Sequence, residues 1–337
     1  MDRFIIKFYF HDSTHFGSDL PGIGQEASKM ILHSDTLFSA LCNVWAQVDW
    51  HLQAKSFRSF SSILEDFRKG KPPFKISSAF PFSGEDYYLP KPMTEPNNLY
   101  RTAEQRIRDA KGVKRTSYLK LDYFKKWMTE IDNATGFAEN LIEPNDNKSV
   151  FGYEDILPKT PVDRRDQHAN IYHSSSYYFD EYCGLYAIVE LEENLREPFE
   201  FVLKHLEKYG LGGNRNVGQG AIDYYVTKEP PPELDELFTL NTKLGYCLLS
   251  LYFPRTPAQI KEKALSYDLV LRKGWIGSSA TNRSLKKKTC FAFAEGSMFS
   301  ELDSGRLVDV RPGAFSEHDV WQYGYALTIP ARKEEGK

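Results

Sequence analysis

Set aside one polar stretch, residues 93–182, and the apolar pattern of the first 227 residues admits few folds. It opens with Phe4-Ile5-Ile6-Lys7-Phe8-Tyr9-Phe10, a short aromatic and β-branched run that predicts a buried strand. After a Gly/Ser/His loop, Ser34 stands as the expected N-cap of a helix, with Asp35 in its first turn. Leu37, Phe38, Leu41, Val44, Trp45 and Val48 then share one face at helical spacing. A second helix is expected over roughly 56–68, with Phe57, Phe60, Leu64 and Phe67 in a stripe and Gly70 as its stop. Strands follow at 74–82 and 87–89, then a strand at 185–191, a helix near 198–208 and a strand at 221–226. Strand, helix, strand, strand, helix, strand is the order of the split βαβ, ferredoxin-like unit.

The chain of 337 residues is longer than one core comfortably supports, so a second unit is expected. Lys228-Glu229-Pro230-Pro231-Pro232-Glu233, with three prolines that stiffen the chain and stop any helix, reads as the linker. Beyond it lie a strand at 244–252, a short helix after Pro257, a strand at 266–273 and strands near 289–294 and 321–329. A second ferredoxin-like unit fits this order. The expected class is therefore α+β, with two ferredoxin-like domains. Residues 1–227 form the first, carrying the insertion at about 93–182 and an extended hairpin near 158–182; residues 228–337 hold the linker and the second.

Composition narrows the chemistry. A net charge of −3 argues against a generally basic nucleic-acid binder but leaves room for local basic faces. Four scattered cysteines form no C-x-x-C pair, and neither His11 and His15 nor the other histidines fall at convincing ligand spacing, so no metal or other cofactor is expected. No run approaches the ~18 apolar residues of a membrane span and no signal peptide is evident, which predicts an intracellular protein without a membrane partner.

The most distinctive segment is Gly210-Leu211-Gly212-Gly213-Asn214-Arg215-Asn216-Val217-Gly218-Gln219-Gly220. Its five glycines permit positive φ angles and close backbone approach, its N–H groups suit an anion nest, and Arg215 adds a planar fork for phosphate or a base. It is not a P-loop, because Gln219 and Gly220 stand where Lys and Ser/Thr belong, and it connects helix to strand, the reverse of a dinucleotide fold. A plain flexible connection is the alternative.

Three further segments carry charge. Between Arg106 and Lys126, basic residues that include Lys114 and Arg115 alternate with Tyr118, Tyr123 and Phe124, followed by Trp127. This pattern suits single-stranded RNA, and equally a solvated helix face over buried aromatics. Arg164 and Arg165 precede a tyrosine-rich run and would sit at a hairpin tip, as a wedge or a partner-binding arm. Arg272-Lys273, Arg283 and Lys286-Lys287-Lys288 have no acid among them and read as an RNA-facing loop or a docking surface. Catalysis is poorly supported, since His33, Ser34 and Asp35 are consecutive and cannot form a relay from one helix start.

Taken together, His33-Ser34-Asp35-Thr36-Leu37-Phe38, Leu89-Pro90-Lys91-Pro92, the glycine-rich loop, Glu295-Gly296-Ser297-Met298 and Trp321-Gln322-Tyr323-Gly324-Tyr325-Ala326 resemble, in order, the fourth subunit of the type III-A CRISPR Csm effector complex, within the RAMP superfamily. The resemblance implies two ferredoxin-like (RRM-like) RAMP domains in a cytoplasmic ribonucleoprotein. It implies a non-catalytic subunit that caps the CRISPR RNA 5′ handle and joins the large Palm-domain subunit to the backbone RAMP filament, with a thumb hairpin acting on the guide–target RNA duplex. The RNA-binding residues it implies are Gly212, Gly213, Asn214, Arg215, Asn216, Gly218 and Gly220, with His33 and Ser34 at the first helix and Arg164 in the thumb. Lys91, Lys114, Arg115 and Arg165 join them as expected contacts. The family loop usually has Ser or Thr where Asn216 stands. The alternative is a metal-independent RAMP endoribonuclease that cuts repeat RNA, with His33 as general acid or base.

Overall fold

A computed structural model of the chain describes residues 1–17, 28, 30–94, 104, 112–128, 148–160, 171–227, 230–240, 245–256, 260–276 and 285–331. The opening run forms strand β1 (Asp2–Phe10), followed by helices α1 (Ser34–Ala54) and α2 (Phe60–Lys69) and short strands β2 (Phe74–Ile76), β3 (Phe80–Ser83) and β4 (Asp86–Pro90). Within the insertion come β5 (Tyr118–Lys120), α3 (Leu121–Met128), β6 (Lys148–Ser149), β7 (Gly152–Lys159) and β8 (Tyr172–Phe179). Strand β9 (Cys183–Leu191), helix α4 (Arg196–Tyr209) and strand β10 (Ile222–Thr227) complete this part. The main sheet has the order β10-β1-β9-β3-β4-β5, with β2 also on β9 and neighbouring strands antiparallel.

The continuous apolar character of β1 follows from burial on both faces. Phe4, Ile6 and Phe8 point to a core shared with α1, α2 and α4, whereas Ile5 points to the opposite face. There it meets Phe80, Tyr186 and Ile188 of its own sheet, and Cys247, Leu249 and Ile329 from beyond residue 228. The first core also takes in Leu307, Tyr323 and Tyr325. The two halves of the chain thus pack through shared apolar cores.

Two helix starts differ from the sequence expectation. His33, not Ser34, occupies the N-cap of α1, because the Ser34 hydroxyl is turned to accept from the Leu251 N–H at 3.0 Å. Helix α2 begins at Phe60, after Ser59 caps it by accepting from the Ser62 N–H, and ends at Gly70 with φ 79°. The proline run behaves unlike a helix-stopping linker: helix α5 (Pro232–Phe238) starts on it, because proline's fixed φ suits the first helical position and its missing N–H costs nothing there. Leu234 and Leu237 anchor α5 in the second core.

Strands β11 (Tyr246–Leu248), β12 (Ala264–Ser266), β15 (Met298–Phe299) and β18 (Thr328–Pro330) form a second sheet in the order β12-β15-β11-β18, with helix α6 (Ile260–Lys263) before β12. Ribbons β13 (Leu269–Arg272) with β14 (Cys290–Phe293), and β16 (Val308–Asp309) with β17 (Trp321–Gln322), stand beside it. Among the described residues no helix lies between β15 and β18, where a full ferredoxin-like unit would carry its second.

The arm of β7 and β8 is paired from Gly152 opposite Phe179 to Lys159 opposite Tyr172, so it starts earlier than the expected 158. Its base is part of the body: Tyr177 is buried, and Phe179 stacks on Phe10 with ring centroids 4.9 Å apart. Ile156 and Leu157, farther out, are exposed. Excising residues 158–173 and rejoining the strands should leave the circular dichroism spectrum and melting temperature essentially unchanged. Global unfolding of that variant would place the distal arm in the core.

Candidate nucleic-acid interface

Two devices position the glycine-rich loop. Its ends are closed by Leu211 N–H donating to the Gly220 carbonyl at 2.8 Å, and its flanks are sewn to the segment after β1. Gly220 N–H donates to the Ser13 carbonyl at 2.9 Å and Gly213 N–H to the His15 carbonyl at 2.8 Å. That segment is in turn held by the arm: Thr14 bridges Tyr177, and His15 donates its Nδ1–H to the Ser175 carbonyl at 2.9 Å. Beneath the loop the buried Gln219 amide donates to Ser13 Oγ at 3.0 Å and Ser176 Oγ at 2.6 Å. Loop, post-β1 segment and arm base are one hydrogen-bonded unit.

From this base the tip projects. Asn214, at φ 55°, and Gly218, at φ 93°, bracket a single 3₁₀ turn, Arg215–Val217, whose side chains are exposed. The N–H groups of Asn214, Arg215 and Asn216 find no acceptor among the described residues. Among the described residues Arg215 makes only a long contact, from Nη1 to the Tyr209 carbonyl at 3.4 Å, so its fork is available to a ligand. Gln219 Oε1 and Ser174 Oγ, both buried at this junction, have no partner among the described residues, and interiors seldom leave such atoms unpaired.

The glycines do not all serve a ligand. At Gly220, with φ 74°, a Cβ would stand 1.9 Å from the Leu211 carbonyl oxygen, so the residue is required by the loop's own closure. Gly212 is likewise held by the protein, its missing Cβ facing the His15 carbonyl at 2.9 Å. A side chain on Gly213 would press on the His15 ring at 3.1 Å, not on an approaching ligand. Only Gly218 of this group opens to free space. The expected close approach is therefore confined to the turn from Asn214 to Gly218.

The other expected contacts separate. Lys114 and Arg115 are exposed on a short helical stretch, residues 112–115, before β5. The aromatics near them are core: Phe124 and Trp127 are on the buried face of α3, with Met128, and burial pushes the Tyr118 hydroxyl far up. Lys91 is half-buried: its ammonium donates to the Val113 carbonyl and burial lowers its pKa, so it ties β4 to the helical residues 112–115 before β5. Arg164, Arg165 and Arg283 lie outside the described residues.

His33 and Ser34 stand away from that surface. Both are buried, and with Asp35 they form a polar joint between the halves of the chain. His33 Nδ1 meets Glu295 Oε1 at 2.8 Å, and Ser78, which accepts from the Ser34 N–H at 2.8 Å, donates to the same carboxylate. One turn on, Arg272 forks onto Asp35, with Nε to Oδ2 at 2.7 Å and Nη2 to Oδ1 at 2.9 Å, and Gln322 also donates to it. Burial alone would raise both carboxyls. The Arg272 charge and hydrogen bonds outweigh it at Asp35, and His33 with Ser78 does so at Glu295, so both sit below the usual range. The acid-free basic run is thus partly neutralised from another element: Arg272 by Asp35, with Lys287 half-buried beside them. Sequence reasoning missed this partnership. The available signal was the missing counter-charge around residues 272–288 together with an acid at the start of an apolar helix.

Comparison with known proteins places this arrangement. The family model of the CRISPR Csm4 C-terminal domain matches residues 241–331. The CRISPR system Cms protein Csm4 of Streptococcus thermophilus is 27% identical over 317 residues, covering 94% of each chain. The chain is similar to Csm4 proteins over nearly its whole length. Among solved structures, it is similar to a chain of the Csm3-Csm4 subcomplex in the type III-A CRISPR-Cas interference complex, at 18% identity and a TM-score of 0.64, covering 98% of this chain and 99% of that one. A chain of the Csm1-Csm4 cassette in complex with cA4 matches at 20% identity and a TM-score of 0.59, covering 99% and 100%. Of the residues that the sequence had singled out, His33, Ser34, Asp35, Glu295 and Gln322 converge on the buried joint, while the glycine-rich loop stands apart on the surface.

Proposed function

We propose that the chain is a non-catalytic, cytoplasmic RNA-binding subunit of a type III-A interference complex. It holds the 5′ handle of the CRISPR RNA on the turn at 214–218 and joins a Csm1-type large Palm subunit to a Csm3-type backbone RAMP subunit. The reading takes both halves as ferredoxin-like RAMP domains, divided near residues 227 and 228, in keeping with the β10-β1-β9-β3 and β12-β15-β11-β18 orders. One observation carries it: Arg215 is exposed, nearly unpartnered and presented on a turn whose base is sewn to the body. Lys114, Arg115, Asn216 and the thumb residues Arg164 and Arg165 complete the proposed RNA-contacting set. Because loop and arm base share Gln219 and Ser176, handle binding and the arm's contact with the guide–target duplex would act through one rigid unit.

Against the nuclease alternative, His33, its general acid or base, is buried against Glu295, which supports the non-catalytic reading. A tagged copy should co-purify guide RNA with the two partner subunits. The purified chain incubated with repeat RNA in EDTA should leave it whole. A discrete cut that disappears in His33→Ala would overturn the non-catalytic assignment.

A further inference from the structure

A second polar cavity lies away from the glycine-rich loop, where the end of α2 meets the second half of the chain. Its volume is about 370 Å³, within the range of small-molecule sites. Four cations line it: Arg68, Lys69, Arg255 and Arg306, together with Trp321 and Tyr325. The nearest acids do not cancel this charge. Glu65 meets Arg68 at 3.1 Å and Lys69 at 3.6 Å on an exposed helix face. Asp303 accepts from the backbone N–H of Arg255, not from its guanidinium. Arg306 is exposed and makes no ion pair among the described residues.

The fold builds this cluster deliberately. Gly70 ends α2 with no side chain, and the Arg255 guanidinium fills the space a Cβ would take. Arg255 Nε donates to the Gly305 carbonyl at 3.0 Å, which fixes the fork, and Tyr325 donates to the Phe67 carbonyl. Trp321 sits under Arg68, whose guanidinium carbon is 5.7 Å from the ring centroid, and its buried indole N–H has no acceptor among the described residues. Cations at a helix C-terminus would be satisfied by the helix alone. Here, however, two of the four come from the other half of the chain.

The cavity is distinct from the proposed handle site. Strand β2, which follows α2, begins with Phe74 opposite Leu191, and Leu191 also faces Asp2. The glycine-rich loop rejoins the sheet at Ile222, opposite Phe10. The length of β1, roughly 25 Å at strand rise, separates these ends.

We propose that this cavity binds one nucleoside phosphate unit, its phosphate held by Arg255 and Arg306 and its base set against Trp321. Guanidinium forks match phosphate oxygens, and an indole face supports a base of any identity. The unit could be supplied by a free nucleotide or by one nucleotide of an RNA strand, and the two sources are separable.

The full chain would be titrated with AMP, adenosine, inorganic phosphate and a short single-stranded RNA, using wild type, Arg306→Glu and Arg215→Glu, with melting curves to confirm folding. AMP should bind better than adenosine or inorganic phosphate. Arg306→Glu should weaken AMP about tenfold or more, as expected for a lost charge-assisted contact, while Arg215→Glu leaves AMP binding unchanged. An additional loss of RNA affinity in Arg306→Glu assigns the site to an RNA nucleotide, and AMP loss alone assigns it to a free nucleotide. If a folded Arg306→Glu protein binds both probes as wild type does, the proposal fails. It also fails if inorganic phosphate binds as tightly as AMP. Because Arg215 is varied separately, failure here leaves the handle assignment standing.

Discussion

Replacing Asp35 with Ala should destabilise the protein by about 3–5 kcal/mol, the range for breaking a buried ion pair from one side. The carboxylate is almost wholly buried and takes hydrogen bonds from Arg272 and Gln322, so its loss strands a guanidinium that is only 11% exposed. The double variant Asp35→Ala/Arg272→Ala should lose less than the sum of the two single changes, because it leaves no unpaired charge. Denaturant unfolding of the four proteins measures this directly. Additive losses would mean that the pair is not coupled.

The same joint sets the acid response. Asp35 and Glu295 are both held below the usual carboxylate range, so the folded state binds fewer protons than the unfolded chain at mildly acid pH. Their contribution is complete above the unfolded values near pH 4 and is lost as pH falls through the lower folded values. Acid should therefore loosen the contact between the halves of the chain first, and Asp35→Ala should flatten that dependence.

Much of the first sheet was legible because its strands and helices carry strong local periodicity. The face formed by Leu37, Phe38, Leu41, Val44 and Trp45 called for a core to cover it, and Gly70 ends α2 as a left-handed cap should. What escaped depends on distant partners. Ser34 looks like an N-cap until Leu251 claims its hydroxyl, Lys91 looks free until the Val113 carbonyl takes its ammonium, and the 272–288 run looks exposed until Asp35 neutralises Arg272. Pro231 and Pro232 read as a helix stop, yet the same fixed φ starts α5. The glycine-rich loop was visible as a loop. The division of its glycines between self-closure at Gly220 and openness at Gly218 was not, because it depends on where the Leu211 carbonyl and the His15 segment lie.

Arg215→Ala is the second large effect and the most direct test of the central claim. The guanidinium is exposed, held only by a 3.4 Å contact, and carried by a turn that the body fixes, so its removal should not disturb the fold. Handle binding should weaken by about 1–3 kcal/mol, the range of a charge-assisted contact. The slope of log affinity against log salt should fall in magnitude by roughly 0.7, one phosphate on a single strand. The measurement is the affinity of reconstituted complexes for guides with and without the 5′ handle, over a salt series, with wild type and Arg215→Ala. The account predicts that the variant weakens the intact guide and leaves the truncated guide untouched. Equal weakening of both guides, or of neither, would contradict it.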